Sequence, residues 1–432
     1  MRIMQWKLLL VTTLICSSSW AKLIDWTDNV PSSLSLFNNS AEELAGLTAN
    51  RIVIFAHPVQ QIHLPTMKSN TKTSARFYSG AVVIPTSNQN IAKLLSTYSG
   101  YAGLFPTVKS VRILEQKDSI SQVRYSIHIP TPIPVLNFKE NITMQHHLTA
   151  NSISSLVIDA PIPYGAGKLE WFDLGNNKTL VTITQWGDLT QPKGFIFSKI
   201  LKALPEVRLG MPAGTDAFLL EALQRRYRPS SATPLKAGEL PYPSLNSQQM
   251  QKIASLSQQS QEPVSFILPQ NQVPYTHGME NMRFTTSYQY YAATPEALQP
   301  WLKPTAYKTL FPRQVKQIKT TAAGNNAEDA AFKISVGLGV ISIPFDFQMR
   351  FQYPDATQNS FYANGGDLKF VRGAMRIIPQ KNGTLLNVIS AVKIDEKAPF
   401  LLRAMRSLPY HEMLPAVGGN TVFTLKIKQK LK

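Results

Sequence analysis

The feature that most constrains this fold is an internal repeat. Leu104-Phe105-Pro106 returns as Leu310-Phe311-Pro312, 206 positions further on. Gly167, ahead of Lys168-Leu169-Glu170-Trp171, returns at the same offset as Gly373 ahead of Ala374-Met375-Arg376-Ile377. Asn177-Lys178-Thr179-Leu180-Val181 matches Asn382-Gly383-Thr384-Leu385-Leu386, Leu204-Pro205 matches Leu408-Pro409, and Met211-Pro212-Ala213 matches Leu414-Pro415-Ala416, at offsets of 205, 204 and 203. Matches in one order at nearly one spacing mean a chain built twice. Upstream, Arg76-Phe77 pairs with Arg283-Phe284, and Ile52-Val53-Ile54-Phe55 with Val264-Ser265-Phe266-Ile267-Leu268. Copy one is placed at 40–228 and copy two at 248–432. Between them, 229–247 holds Pro229, Pro234, Pro241 and Pro243 and reads as a Pro-rich linker.

The N-terminus reads as an export signal. Arg2 and Lys7 precede an apolar run from Leu8 to Cys16, and Ser19 and Ala21 are small residues at the right spacing for cleavage after Ala21. That leaves 22–39 as an N-terminal segment and predicts a periplasmic location. Cys16, the single cysteine, leaves with the signal, so the mature chain has no thiol chemistry and no disulfide. Losing Arg2 and Lys7 takes the formal net charge from +18 to +16. A strongly basic exported chain suits an anionic membrane surface, though diffuse solubilising charge explains it equally well. No Lys/Arg run interleaved with aromatics points to nucleic acid.

Each copy reads as strand, short helix, several antiparallel strands, then a long broken helix. Ala81-Val82-Val83-Ile84 ends at Pro85, and Ser87 caps a helix over Asn90-Ile91-Ala92-Lys93-Leu94-Leu95. In copy two Thr294 caps and Pro295 takes the first helical position. Val123, Tyr125, Ile127 and Ile129 alternate with polar residues, as do Phe345, Phe347, Met349, Phe351 and Tyr353. Gly175-Asn176-Asn177 and Lys381-Asn382-Gly383 are hairpin turns. Phe195, Phe197, Ile200, Leu201 and Leu204 lie at helical spacing, Pro205 interrupts, and Thr215 is the expected cap of a second helix. The end of copy two, 422–432, is assigned to helix by analogy. The class is therefore α+β, with a curved antiparallel sheet wrapped around a long C-terminal helix in each copy.

This order resembles the START-like (SRPBCC, helix-grip) superfamily, which includes polyketide cyclase-like and coenzyme Q-binding proteins. The residues that carry the resemblance are Tyr101-Ala102-Gly103-Leu104-Phe105-Pro106-Thr107-Val108 and Tyr307-Lys308-Thr309-Leu310-Phe311-Pro312. The likeness covers most of both copies. It implies an apolar cavity between sheet and helix.

Motifs for chemistry are missing. There is no Gly-X-Ser-X-Gly and no His-Glu-X-X-His among the seven histidines, and the adjacent His146 and His147 face opposite ways on a strand. Gly165-Ala166-Gly167 and Gly337-Leu338-Gly339 lack the rest of a phosphate loop. Among the carboxylates, Glu170 becomes Arg376 in copy two. If Leu169 and Trp171 point inward, Glu170 faces solvent. No cofactor and no metal are expected. The candidate ligand-lining residues are Phe105, Phe138, Trp171, Trp186, Leu204, Met211 and Phe218 in copy one. In copy two they are Phe311, Phe345, Phe347, Phe370, Met375, Leu408 and Met413; Phe197 of copy one and Met405 of copy two join them. Core packing is the plainer reading of any one of these. Together they suggest a binding or carrier protein for a hydrophobic small molecule, lipid-like or quinone-like, with the helix breaks at 205–214 and 409–419 as hinges. The alternatives are a cyclase- or hydrolase-type enzyme, which needs an ionisable group facing the cavity, and a ligand-free interaction module with a filled core.

Overall fold

The computed structural model describes residues 22–129, 138–228, 231–275, 278–337 and 342–431. The export signal expected over 1–21 lies outside them. In copy one the order is α1 (Ala41–Thr48), β1 (Ile52–Ala56), β2 (Gln60–Ile62), β3 (Thr73–Ala75), β4 (Tyr78–Ile84), α2 (Asn88–Ser96), α3 (Tyr101–Leu104), β5 (Val108–Lys117), β6 (Ile120–Ile129), β7 (Phe138–Leu148), β8 (Ser152–Asp159), β9 (Gly165–Asp173), β10 (Thr179–Gly187), α4 (Phe195–Ala203) and α5 (Val207–Tyr227). A short β11 (Thr233–Pro234) follows. Copy two runs α6 (Ser247–Ser260), β12 (Val264–Tyr275), β13 (Gly278–Tyr291), α7 (Pro295–Leu298), α8 (Ala306–Leu310), β14 (Val315–Ala322), β15 (Ala327–Gly337), β16 (Ser342–Asp355), β17 (Gln358–Gly366), β18 (Phe370–Gln380), β19 (Gly383–Lys393), α9 (Phe400–Arg403) and α10 (Leu414–Lys430).

In copy one β4 pairs with β10, and β10 to β5 follow as an antiparallel meander. Copy two repeats this with β13, β19 and β18 back to β14. In each, the short helices fill the crossover after the first meander strand and the long helix closes the unit. This is the helix-grip arrangement. It forms because the strands alternate apolar residues on one face, which a helix must then cover.

Each copy adds a leading helix and strand, α1–β1 and α6–β12. These strands fuse the copies. β1 pairs with β12 antiparallel, with Val53 opposite Phe266 and Ile54 opposite Ser265. Ile54 pairs with Gly80 as Ser265 pairs with Ser287, so Ile54 corresponds to Ser265 and their pair maps onto itself, as at a two-fold axis. The two sheets are thus one continuous sheet. Its inner face carries α5 and α10, which cross where Gly210 meets Gly418; a Cβ at Gly210 would lie 3.2 Å from the Gly418 Cα. On the outer face α1 and α6 pack over Val53, Phe55, Phe266 and Phe284, all fully buried. The linker is strapped down rather than free. β11 pairs with β12, Leu235, Leu240 and Leu245 join the outer core, and Arg376 stacks on Tyr242 at 3.7 Å.

Several sequence expectations change. Ser87 does cap α2. Thr215 is no cap: α5 runs unbroken past it, and its hydroxyl donates to the Met211 carbonyl at 2.9 Å. The helix break is confined to 204–206, so Gly210 and Gly214 lie inside α5, as Gly418 and Gly419 lie inside α10. Gly210 and Gly418 serve the helix crossing. No described helix is long and apolar enough to cross a membrane.

Candidate functional site

Strand register fixes which side chains face the helices. Val181, Ile183 and Gln185 of β10 point inward with their β9 partners Trp171, Leu169 and Gly167. On β6 and β7, Val123, Tyr125 and Ile127 face inward with Ile142, Met144 and His146.

The inner face of copy one divides in two. Over β4 and β1, α5 closes tightly: a Cβ at Gly80 would sit 2.5 Å from Leu220 Cδ1 and 3.2 Å from the Asp216 Cβ. Toward β6 and β7 the cover is looser, and Ile127, Ile142 and Met144 are only half-buried. Further along, the inner face of β9 and β10 carries Gly165, Gly167 and Gly187, with Ile162 packed over Gly165 and Gly187. Gly194, just ahead of α4, lies beside the Glu140 carboxylate. A hollow of about 370 Å³ near this end lies toward the other face of the sheet, among Lys109, Ser126, His128, Lys139 and Asn141, whose register sets them opposite to Tyr125 and Ile142. In copy two the matching face is aromatic. Phe332 stacks on Phe347 with centroids 4.8 Å apart, and Phe345 follows at 6.0 Å. Phe345 and Phe347 are half-buried, whereas Met375, Phe351 and Phe361 are buried beneath Phe423 of α10.

The candidate lining residues do not form one site. Phe105 and Trp171 lie in the inner core of copy one, and Phe311, Phe347 and Met375 in that of copy two. Phe345 joins Leu402 and Met405 in a small cluster at the edge. Met413 is fully buried, but in the core of copy one, and Phe218 rests on Tyr410 at 4.9 Å, so both serve the contact between copies. Leu204 and Leu408 are half-buried beside the helix breaks, and Phe197 is half-buried on α4. The side chain of Phe138 lies outside the described residues.

Three placements correct the sequence reading. Trp186 points to the outer face, against Phe77 at 6.4 Å, because alternation along β10 sets it opposite to Val181 and Ile183. Phe370 is also outward, against Tyr275 at 5.1 Å. Met211 lies off the sheet-facing stripe Ala213–Ala217–Leu220 of α5 and is half-buried.

Glu170 faces outward, as its neighbours require, yet it is not in solvent. The N-terminal segment covers it, and one carboxylate oxygen accepts from Ser33 N at 3.0 Å, Ser33 Oγ at 3.1 Å and Ser32 Oγ at 3.2 Å. It is 7% exposed and spent on holding that segment.

Sequence reasoning missed the buried polar groups of the inner face. His146 is 4% exposed; Nε2 bonds the Tyr125 hydroxyl at 2.7 Å and Nδ1 bonds Ser155 Oγ at 2.8 Å. Tyr98 stacks on its ring at 4.7 Å. Burial pushes its pKa down to about 3, so the ring is neutral. Asp216 is fully buried and accepts from Gln185 Nε2. Burial holds its carboxyl well above the usual carboxylate range, which favours the neutral acid. Alternation of His146 with Met144 and Leu148 was the available signal. Among the described residues no cluster of His, Cys, Asp and Glu could hold a metal ion.

No protein-family model matches this chain, and no curated protein matches it. Solved structures similar to it include the di-domain ARO/CYC StfQ from the steffimycin biosynthetic pathway (10% identity, 82% of this chain and 99% of that one, TM-score 0.25). A START superfamily protein from Mycobacterium smegmatis is 19% identical over 35% of this chain and 96% of its own, with TM-score 0.28. A STAR-related lipid transfer protein from Xanthomonas axonopodis is 14% identical over 40% and 99%, with TM-score 0.27. The helix-grip assignment rests on the strand order and helix placement described above.

Proposed function

We propose that this is an exported, periplasmic binding or carrier protein for an apolar, lipid-like or quinone-like molecule held between sheet and long helix. The observation that carries the reading is the loosely covered part of the inner face. Ile127, Ile142 and Met144, and Phe345 with Phe347 in the other copy, are apolar side chains left half-buried where a helix-grip unit has room for a guest. Burying a guest's apolar area there contributes roughly 25 cal/mol per Å². Met144→Asp and Phe347→Asp would place a charge in each face. Loss of co-purifying apolar ligand with an unchanged far-ultraviolet circular dichroism spectrum supports the reading. Unchanged ligand content in both variants refutes this placement.

An enzymatic reading draws on Asp216 and His146, which do face inward. Their surroundings favour binding instead. Both His146 nitrogens are occupied, and Asp216 sits where Gly80 lets the helix close onto the sheet, with no space for a substrate. Turnover that is lost in Asp216→Asn would reverse this preference.

A further inference from the structure

Two large apolar side chains from separate segments are left exposed at one end of the copy-two sheet. Met279, beside the tip of the β12–β13 hairpin, is 49% exposed, and Phe400, the first residue of α9, is 65% exposed. The register brings these segments to the same end. Thr285 pairs with Ser390, so the strand residues before 285 run alongside those after 390. Glu280 is bridged to Lys393, Tyr275 packs on Phe370, and Phe370 pairs with Lys393. Phe400 follows seven residues after Lys393, on a turn anchored from below by Ala398 and Leu402 against Phe345 and Leu368. The anchoring matters: the turn is packed on its inner side, so Phe400 is held outward rather than left over.

The charges around this tip are mostly positive. Lys397 and Arg403 are exposed, Lys369 bonds Asp395 at 3.6 Å with half its side chain in water, and Arg406 bonds Glu396 at 3.2 Å. With Lys393, five cations face three carboxylates: Glu280, Asp395 and Glu396. Exposed Phe and Met within a cationic ring on a chain of formal net charge +18 suit an interface where apolar groups enter and anions surround them. A protein partner with an acidic rim would need apolar sockets matched to both segments, whereas two exposed side chains from separate segments fit a deformable surface.

We infer that this end of copy two is a membrane-docking tip, with Phe400 and Met279 entering the acyl boundary of an anionic bilayer and Lys397 and Arg403 lying on its headgroups. The inference deepens the proposed carrier function by naming where the protein meets lipid. It is tested separately, because vesicle docking does not require a bound ligand.

The test is co-sedimentation of the full mature chain with vesicles of phosphatidylcholine alone and of phosphatidylcholine with a third phosphatidylglycerol. The wild type should pellet with the anionic vesicles only, and the bound fraction should fall as salt is raised. The Met279→Asp/Phe400→Asp double variant should bind at least about tenfold more weakly. Ile113→Asp, which changes a 46%-exposed residue on the edge strand β5, should bind like wild type. Circular dichroism melts guard against misfolding, and both sites are exposed enough for the midpoint to hold. Failure of the wild type to pellet with anionic vesicles overturns the inference, and so does a double variant that binds as well as wild type. If docking fails while apolar ligand still co-purifies, the carrier reading stands without this tip.

Discussion

Val53 and Phe266 face each other across the antiparallel seam that joins the two copies, and neither is exposed at all. Each lies in the leading strand of its copy, an addition to the helix-grip plan. Through this pair, the outer-face core under α1 and α6 belongs to both copies at once. A shared core should make the halves unfold together. Calorimetry and tryptophan fluorescence are expected to give one coincident transition, although the chain contains two repeats. Phe266→Ala should lower stability by about 3–5 kcal/mol and keep a single transition. Two separate transitions in the wild type would show that the seam does not couple the copies.

Glu221 of α5 and Arg283 of β13 form a second link, buried at 2.8 Å, with Gln224 also accepting from Arg283 at 3.2 Å. Arg225 adds a bridge from Glu221 to Glu412 and lies over Tyr410 at 4.6 Å. Removing Glu221 strands the Arg283 guanidinium, whose other acceptor Gln224 is neutral, where water cannot reach it. Glu221→Ala should therefore cost about 3–5 kcal/mol. The Arg283→Met/Glu221→Leu pair should recover most of that loss, measured by chemical denaturation as a double-mutant cycle. Additive single-variant effects would mean that the pair is not coupled.

Acid should weaken the fold through two buried histidines, His57 and His146. Burial lowers the pKa of His57 to about 4 and of His146 to about 3. A lowered histidine pKa means the unfolded chain binds the proton first. The stability contributed is intact above about 6.5 and is lost as pH falls toward the folded values, on the order of a few kcal/mol per group. A His57→Asn/His146→Asn variant should show a flatter stability profile between pH 6.5 and 4, by denaturant titration at each pH. An unchanged slope would contradict this.

Asp216 should act with the opposite sign. Its folded pKa is raised by burial, so it takes up a proton on folding and costs stability as pH rises above the ordinary carboxylate range. Asp216→Asn keeps the acceptor for Gln185 and removes the titration. The variant should match the wild type at pH 4 and exceed it by about 1–3 kcal/mol at pH 8. Equal stability at both pH values would show that the carboxyl is not held protonated.

Much of this architecture was legible in the sequence because its signals are local. Ser87, the Gly175-Asn176-Asn177 turn and the alternation from Val123 to Ile129 act over a few residues, and the repeat let one copy inform the other, as in the helical end of copy two. What stayed hidden depends on long-range register. Trp186 and Phe370 look like cavity residues by type, and only strand parity against Val181 and Met375 turns them outward. Alternation with Leu169 and Trp171 puts Glu170 on the outer face, but nothing local shows that Ser32 and Ser33 cover it from well over a hundred residues away. The seam was invisible for the same reason, since a strand's edge partner is chosen by the whole fold. Copy-two residues such as Met413 were therefore assigned to their own core when they serve the neighbouring one.

Native mass spectrometry of the protein taken from the cells that make it, followed by organic extraction, tests most directly whether the half-buried inner face holds an apolar guest. The expected result is a mass above that of the chain alone by one or two apolar small molecules, collapsing to the chain mass after delipidation. A preparation that shows only the bare chain mass, and whose delipidated form takes up no added quinone or fatty acid, would contradict it.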